Sequence, residues 1–63
     1  MIELGTYVRF YDGPALKDGR VYMRTYEQNP RYSVEVEGEE GFISTDCTKI
    51  ISHSSNPVLL KNG

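Results

Sequence analysis

The sequence predicts an all-β domain of five short strands. Polarity alternates with a period of two through three separate stretches, turn-forming Gly, Pro, Asn and Asp interrupt those stretches at short intervals, and no long run spaces its apolar residues as a helix would.

The first strand is read over residues 6–11, where Thr6, Val8 and Phe10 share one face and Tyr7, Arg9 and Tyr11 the other. Asp12-Gly13-Pro14 ends it and Lys17-Asp18-Gly19 reads as a second turn. Residues 12–19 are therefore expected to form one long connection carrying Ala15 and Leu16. In the second strand Val21, Met23 and Thr25 alternate with Tyr22, Arg24 and Tyr26, and Gln28-Asn29-Pro30-Arg31 turns the chain. The third places Tyr32, Val34 and Val36 inward and Ser33, Glu35 and Glu37 outward. Gly38-Glu39-Glu40-Gly41 reads as a tight turn into a fourth strand over Phe42-Ile43-Ser44-Thr45. Asp46-Cys47-Thr48 is expected to make one short helical turn, capped by Thr45 or Asp46, before a fifth strand over residues 49–52. Ser54-Ser55-Asn56-Pro57 reads as a linker, which divides the chain into a domain over 1–53 and an apolar tail over 54–63.

Antiparallel partners across a hairpin have a constant sum of residue numbers, so a proposed register can be checked against the faces it brings together. A four-residue loop over 28–31 sets Met23 opposite Val36, Thr25 opposite Val34 and Arg24 opposite Glu35. A two-residue loop at Glu39-Glu40 sets Val36 opposite Ile43 and Val34 opposite Thr45. Core meets core in both, and a single inner face results.

Sixty-three residues allow one small core and no second domain. A single Cys excludes an internal disulfide, and one Cys with one His excludes a self-contained Cys/His zinc site, so packing or oligomerisation must hold the fold. Nine acidic against seven basic residues give a net charge of −2, which opposes general binding to duplex nucleic acid. No segment has the length of a membrane span or the order of a signal peptide, and a cytoplasmic location is the expectation. The chain carries no P-loop, dinucleotide fingerprint or HExxH pattern, and Cys47 and His53 lack the oxyanion-stabilising Gly-rich segment that nucleophilic catalysis needs. No enzyme activity, cofactor or metal is expected. Cys47 reads as a small packing residue and His53 as a surface residue.

The order of strand, long loop, three-strand meander, helical turn and last strand resembles the SH3-like small barrel. Gly5-Thr6-Tyr7-Val8-Arg9-Phe10, Gly19-Arg20-Val21, Tyr32-Ser33-Val34-Glu35-Val36, Gly41-Phe42-Ile43 and Thr48-Lys49-Ile50 carry the likeness. The resemblance implies a five-stranded barrel. It does not imply binding of Pro-rich peptides, because the Trp and the aromatic-Pro-x-x-Tyr segment of the peptide-binding branch are missing. The layout is also similar to plasmid-type dihydrofolate reductase, whose active surface carries a Val-Gln-Ile-Tyr segment where Gly41-Phe42-Ile43-Ser44 stands here. The activity is not carried over.

One motif occurs twice: Tyr7-Val8-Arg9-Phe10-Tyr11 and Tyr22-Met23-Arg24-Thr25-Tyr26. On neighbouring strands the two triplets would place four Tyr rings and two guanidinium groups on one outer surface. Such a platform suits a protein partner, with single-stranded nucleic acid as the alternative, since Tyr and Arg dominate interface hot spots and rings also stack bases. The plainer reading is that Tyr suits strands and Arg24 pairs across to Glu35. Candidate partner-binding residues are Tyr7, Arg9, Tyr11, Tyr22, Arg24 and Tyr26, with Leu16 from the long connection. Glu35, Glu37, Glu39 and Glu40 form an acidic edge read as a solvated turn. The functional expectation is a non-catalytic binding module, an adaptor, inhibitor or assembly factor of bacterial or phage type, with a single-stranded nucleic-acid-binding barrel as the alternative, an oligomeric enzyme subunit as the second, and a homo-oligomer as an open state of assembly.

Overall fold

The computed structural model describes residues 2–56. The expected tail over 58–63 lies outside them. Five antiparallel strands, β1 (Tyr7–Asp12), β2 (Ala15–Arg24), β3 (Arg31–Glu35), β4 (Ile43–Asp46) and β5 (Ile50–Ser54), form one sheet in the order β4-β3-β2-β1-β5. β4 and β5 are consecutive in the chain yet lie at opposite edges. In a flat sheet of this width they would stand about 19 Å apart. The four chain steps from Asp46 to Ile50 reach about 14 Å at most. The sheet must therefore curl, and β4 touches β1, three places away in the strand order. The result is a half-barrel.

The concave side holds the core. Val8 and Phe10 from β1, Val21 from β2, and Tyr32 and Val34 from β3 are buried with Val36, Thr45 and Ile2, and Ile43 and Ile50 pack against them. Burying a side chain such as Phe10 contributes about 2 kcal/mol, so this small set is the main source of stability.

The expected long connection over 12–19 is instead a tight hairpin. Asp12 pairs with Ala15, and Gly13 at φ 63° takes the first central position of the two-residue turn, the place where a hairpin of this length needs a left-handed residue. Gly19, expected in a turn, lies within β2 and faces Val8. A Cβ there would stand 2.4 Å from Val34 Cγ1 and 2.7 Å from the Glu35 carbonyl oxygen. Its glycine serves close packing of β2 on β3.

The registers also differ from expectation. Across β3 and β4, Val34 faces Ile43 and Tyr32 faces Thr45, a slip of two that leaves every side chain on its expected face. Across β2 and β3, Arg20 faces Glu35 and Val21 faces Val34. A bulge at Tyr22 then breaks the alternation, and Met23 faces Ser33 while Arg24 faces Tyr32. One extra residue reverses the faces beyond it. Met23, expected in the core, is 58% exposed, and Thr25 is exposed as well.

The helical turn expected before β5 is a β-turn. Lys49 N–H donates to the Asp46 carbonyl over 3.1 Å, and Asp46 Oδ1 accepts from the Thr48 N–H at 3.0 Å and from the Thr48 hydroxyl. Those two bonds, with Lys49 and Arg31 nearby, hold the Asp46 carboxyl below the usual carboxylate range. β5 begins at Ile50 and runs to Ser54, in place of the expected strand over residues 49–52.

Candidate aromatic groove on the convex face

The first Tyr-x-Arg-x-Tyr triplet keeps strict alternation. Tyr7, Arg9 and Tyr11 face Arg20, Asp18 and Leu16 across the β1–β2 hairpin, on the side opposite the buried Val8 and Phe10. Arg9 donates to Asp18 through Nε at 2.8 Å and Nη2 at 3.1 Å. The Asp18 carboxylate thereby raises the Arg9 pKa above its ordinary value. Arg20 lies 5.8 Å above the Tyr7 ring. Tyr11 and Leu16, partners at the hairpin end, are 45% and 49% exposed.

The second triplet is dispersed by the bulge. Arg24 turns toward Tyr32, and its side chain is only 3% exposed. Its Nη1 donates to the Ile2 carbonyl at 2.7 Å, and its Nε donates to the Thr25 carbonyl at 3.0 Å. The guanidinium carbon lies 4.4 Å from the Tyr26 ring centre and 5.6 Å from that of Tyr32. Arg24 is thus a structural residue that ties the N-terminal segment to the sheet. It does not pair with Glu35, which faces Arg20 instead. The predicted four-ring surface does not form: Tyr7 and Tyr11 share a face with Tyr22, while Tyr26 stays with Arg24.

Tyr22 has a different partner. Its ring stacks on Phe42 with centroids 4.6 Å apart and planes 8° from parallel, both side chains about half exposed. Beside this stack lies a groove of about 330 Å³ lined by Leu4, Gly5, Arg20, Val21, Tyr22 and Glu35. Gly5 N–H donates to the Val21 carbonyl at 2.8 Å and Val21 N–H to the Thr6 carbonyl at 2.9 Å. These bonds fix the groove's N-terminal wall, so Leu4 is held at the surface, 55% exposed, in the same groove as Tyr22. Small-domain surfaces scatter single apolar residues without meaning, but here Leu4 and Tyr22 line one concavity and Phe42 stacks on Tyr22, which makes a patch.

Sequence reasoning selected Tyr22 and missed Leu4, Arg20, Glu35 and Phe42 as its companions. Phe42 was accessible to the period-two rule: with Ile43 inward, its neighbour must point outward. Leu4 and Arg20 were not, because their meeting depends on the folded position of the N-terminal segment.

Charge around the groove is uneven. Lys17 Nζ reaches Asp12 at 2.7 Å and Glu39 at 3.1 Å, which raises its pKa, the Asp12 bond being the larger cause. Arg31 bonds Ser44 at 3.1 Å. Glu35, Glu37 and Glu40 are exposed, and among the described residues no hydrogen bond or ion pair engages their side chains.

Cys47 is exposed rather than packed, and His53 is exposed as well. Among the described residues no group of three His, Cys, Asp or Glu could hold a metal ion, and no helix is long and apolar enough to cross a membrane. The molecule is therefore an all-β half-barrel with an aromatic groove on its convex face. Neither family models, curated proteins nor solved structures provide a match to the chain.

Proposed function

We propose that this chain is a non-catalytic binding module, an SH3-like small barrel that engages a protein partner through the groove beside Tyr22 and Phe42. The stacked, half-exposed ring pair carries this reading, since it offers rigid apolar area beside polar groups, the composition of an interface hot spot. The strand order and the curl of the sheet support the barrel class. A role as an adaptor, inhibitor or assembly factor of bacterial or phage type fits a domain whose surface, and not a catalytic cluster, is its distinctive part.

Single-stranded nucleic acid is the less favoured ligand. Stacking bases needs open ring faces beside free cations, whereas Tyr22 and Phe42 cover one face of each other and Arg9 is held by a carboxylate. The test is replacement of both rings. With the partner retained from a host extract by the wild-type domain, Y22S/F42S should lower affinity by about thirtyfold, as loss of a roughly 2 kcal/mol hot spot requires. Retained affinity with unchanged folding would overturn the assignment.

A further inference from the structure

We infer that the occupant of the groove is a basic, apolar protein segment: an aliphatic or aromatic anchor seated against Leu4 and Tyr22, whose ring is backed by Phe42, flanked by Lys or Arg that meets Glu35, Glu37 and Glu40. This rests on the reading of the groove as a protein-binding site and adds the chemistry of the partner.

The charges carry the inference. Of the cations in the described residues, Arg9 and Lys17 are bonded to carboxylates, Arg24 is buried against a carbonyl, and Arg31 is bonded to Ser44. Arg20 lies over Tyr7, and Lys49 is close enough to Asp46 to lower its pKa. The unengaged carboxylates are concentrated instead on the end of β3 and on the turn that leads to Phe42. Glu35 lines the groove, Glu37 lies two residues beyond it, and Glu40 two residues before Phe42. An apolar patch rimmed by unpaired negative charge selects a partner of opposite sign and repels phosphate backbones. A second copy is the weaker occupant, because three of this chain's described cations, Arg9, Lys17 and Arg24, are already held by carboxylates or a carbonyl of the same chain.

The experiment is selection of displayed random twelve-residue peptides on the wild-type domain, followed by calorimetry of the synthesised winners. Basic peptides with a Leu, Ile, Phe or Trp anchor are expected, with affinity falling at least fivefold between low and high salt. E35K/E37K/E40K should weaken them at least tenfold, and E37K/E40K, which leaves Glu35 and its cross-strand neighbour Arg20 unchanged, at least threefold, with circular dichroism unchanged. Winners that are neutral or acidic, or that bind the charge-reversed domains equally, overturn the inference. If such winners still require Tyr22 and Phe42, the protein-binding reading stands and only the partner chemistry fails. Enrichment of no peptide, tight binding of an oligo-dT twelve-mer, or concentration-dependent dimerisation that Y22S/F42S abolishes each overturns it too.

Discussion

The two Tyr-x-Arg-x-Tyr triplets are nearly the same in sequence and end in different environments. On β1 the triplet lies flat on the convex face, its Arg9 at the surface in a bidentate pair with Asp18. On β2 the bulge at Tyr22 leaves one ring outside, stacked on Phe42, and turns Arg24 inward against Ile2 and Tyr32. A strand motif thus defines a surface only while the backbone stays regular. One inserted residue converted a symmetric platform into an anchor on one side and a groove on the other.

The contrast can be strained by substitution, the largest effect coming from the part of β2 that still alternates. Gly19→Ala places a methyl group 2.4 Å from Val34 Cγ1, forces β3 away from β2, and should cost about 3 kcal/mol in urea unfolding. The matched pair Arg24→Ala and Arg9→Ala separates the triplets directly. Losing Arg24 leaves the Ile2 carbonyl without its donor and opens a gap beside Tyr26 and Tyr32, an expected cost of about 2 kcal/mol. Arg24→Met should recover the packing part. Arg9→Ala removes a part-buried bidentate ion pair at the sheet surface, and its melting temperature should fall by less than that of Arg24→Ala, the fall shrinking as salt is added.

Thr45→Val works in the opposite direction. Thr45 is 1% exposed, and among the described residues its hydroxyl has no hydrogen-bond partner, so an apolar side chain of the same shape should stabilise the fold by about 1 kcal/mol. The smallest effect is on acid stability. Asp46 has a folded-state pKa below its unfolded value, so its contribution is complete above the unfolded carboxylate pKa of about 4 and disappears as pH falls through the folded value. Asp46→Asn should flatten that part of the melting temperature profile below about pH 4 and leave the neutral part sloped as before.

The inner positions of β1, β3 and β4 were legible because a period-two pattern survives an even slip in register: Val8, Phe10, Tyr32, Val34 and Thr45 are all buried. Turns were less legible. Gly13-Pro14 and Asp18-Gly19 look alike as turn signals, yet one closes a hairpin and the other is strand, with its glycine demanded by Val34 of β3 and by Val36 just beyond that strand, more than ten residues away in sequence. The bulge had no local signal, since Val21 to Tyr26 alternate without interruption. The candidate site was half visible for the same reason. Tyr22 was selected, while its stacking on Phe42 and the turning of Arg24 depend on an insertion that only the pairing with β3 reveals.

The decisive measurement is a set of proton–proton nuclear Overhauser contacts in solution. Contacts between the rings of Tyr22 and Phe42, from Arg24 to both Tyr26 and Tyr32, and between the Arg20 and Glu35 side chains are expected. Contacts from Arg24 to Glu35 and from Met23 to Val36 instead would mean that the strand is regular. The two triplets would then share one face, and there would be no groove built on the bulge.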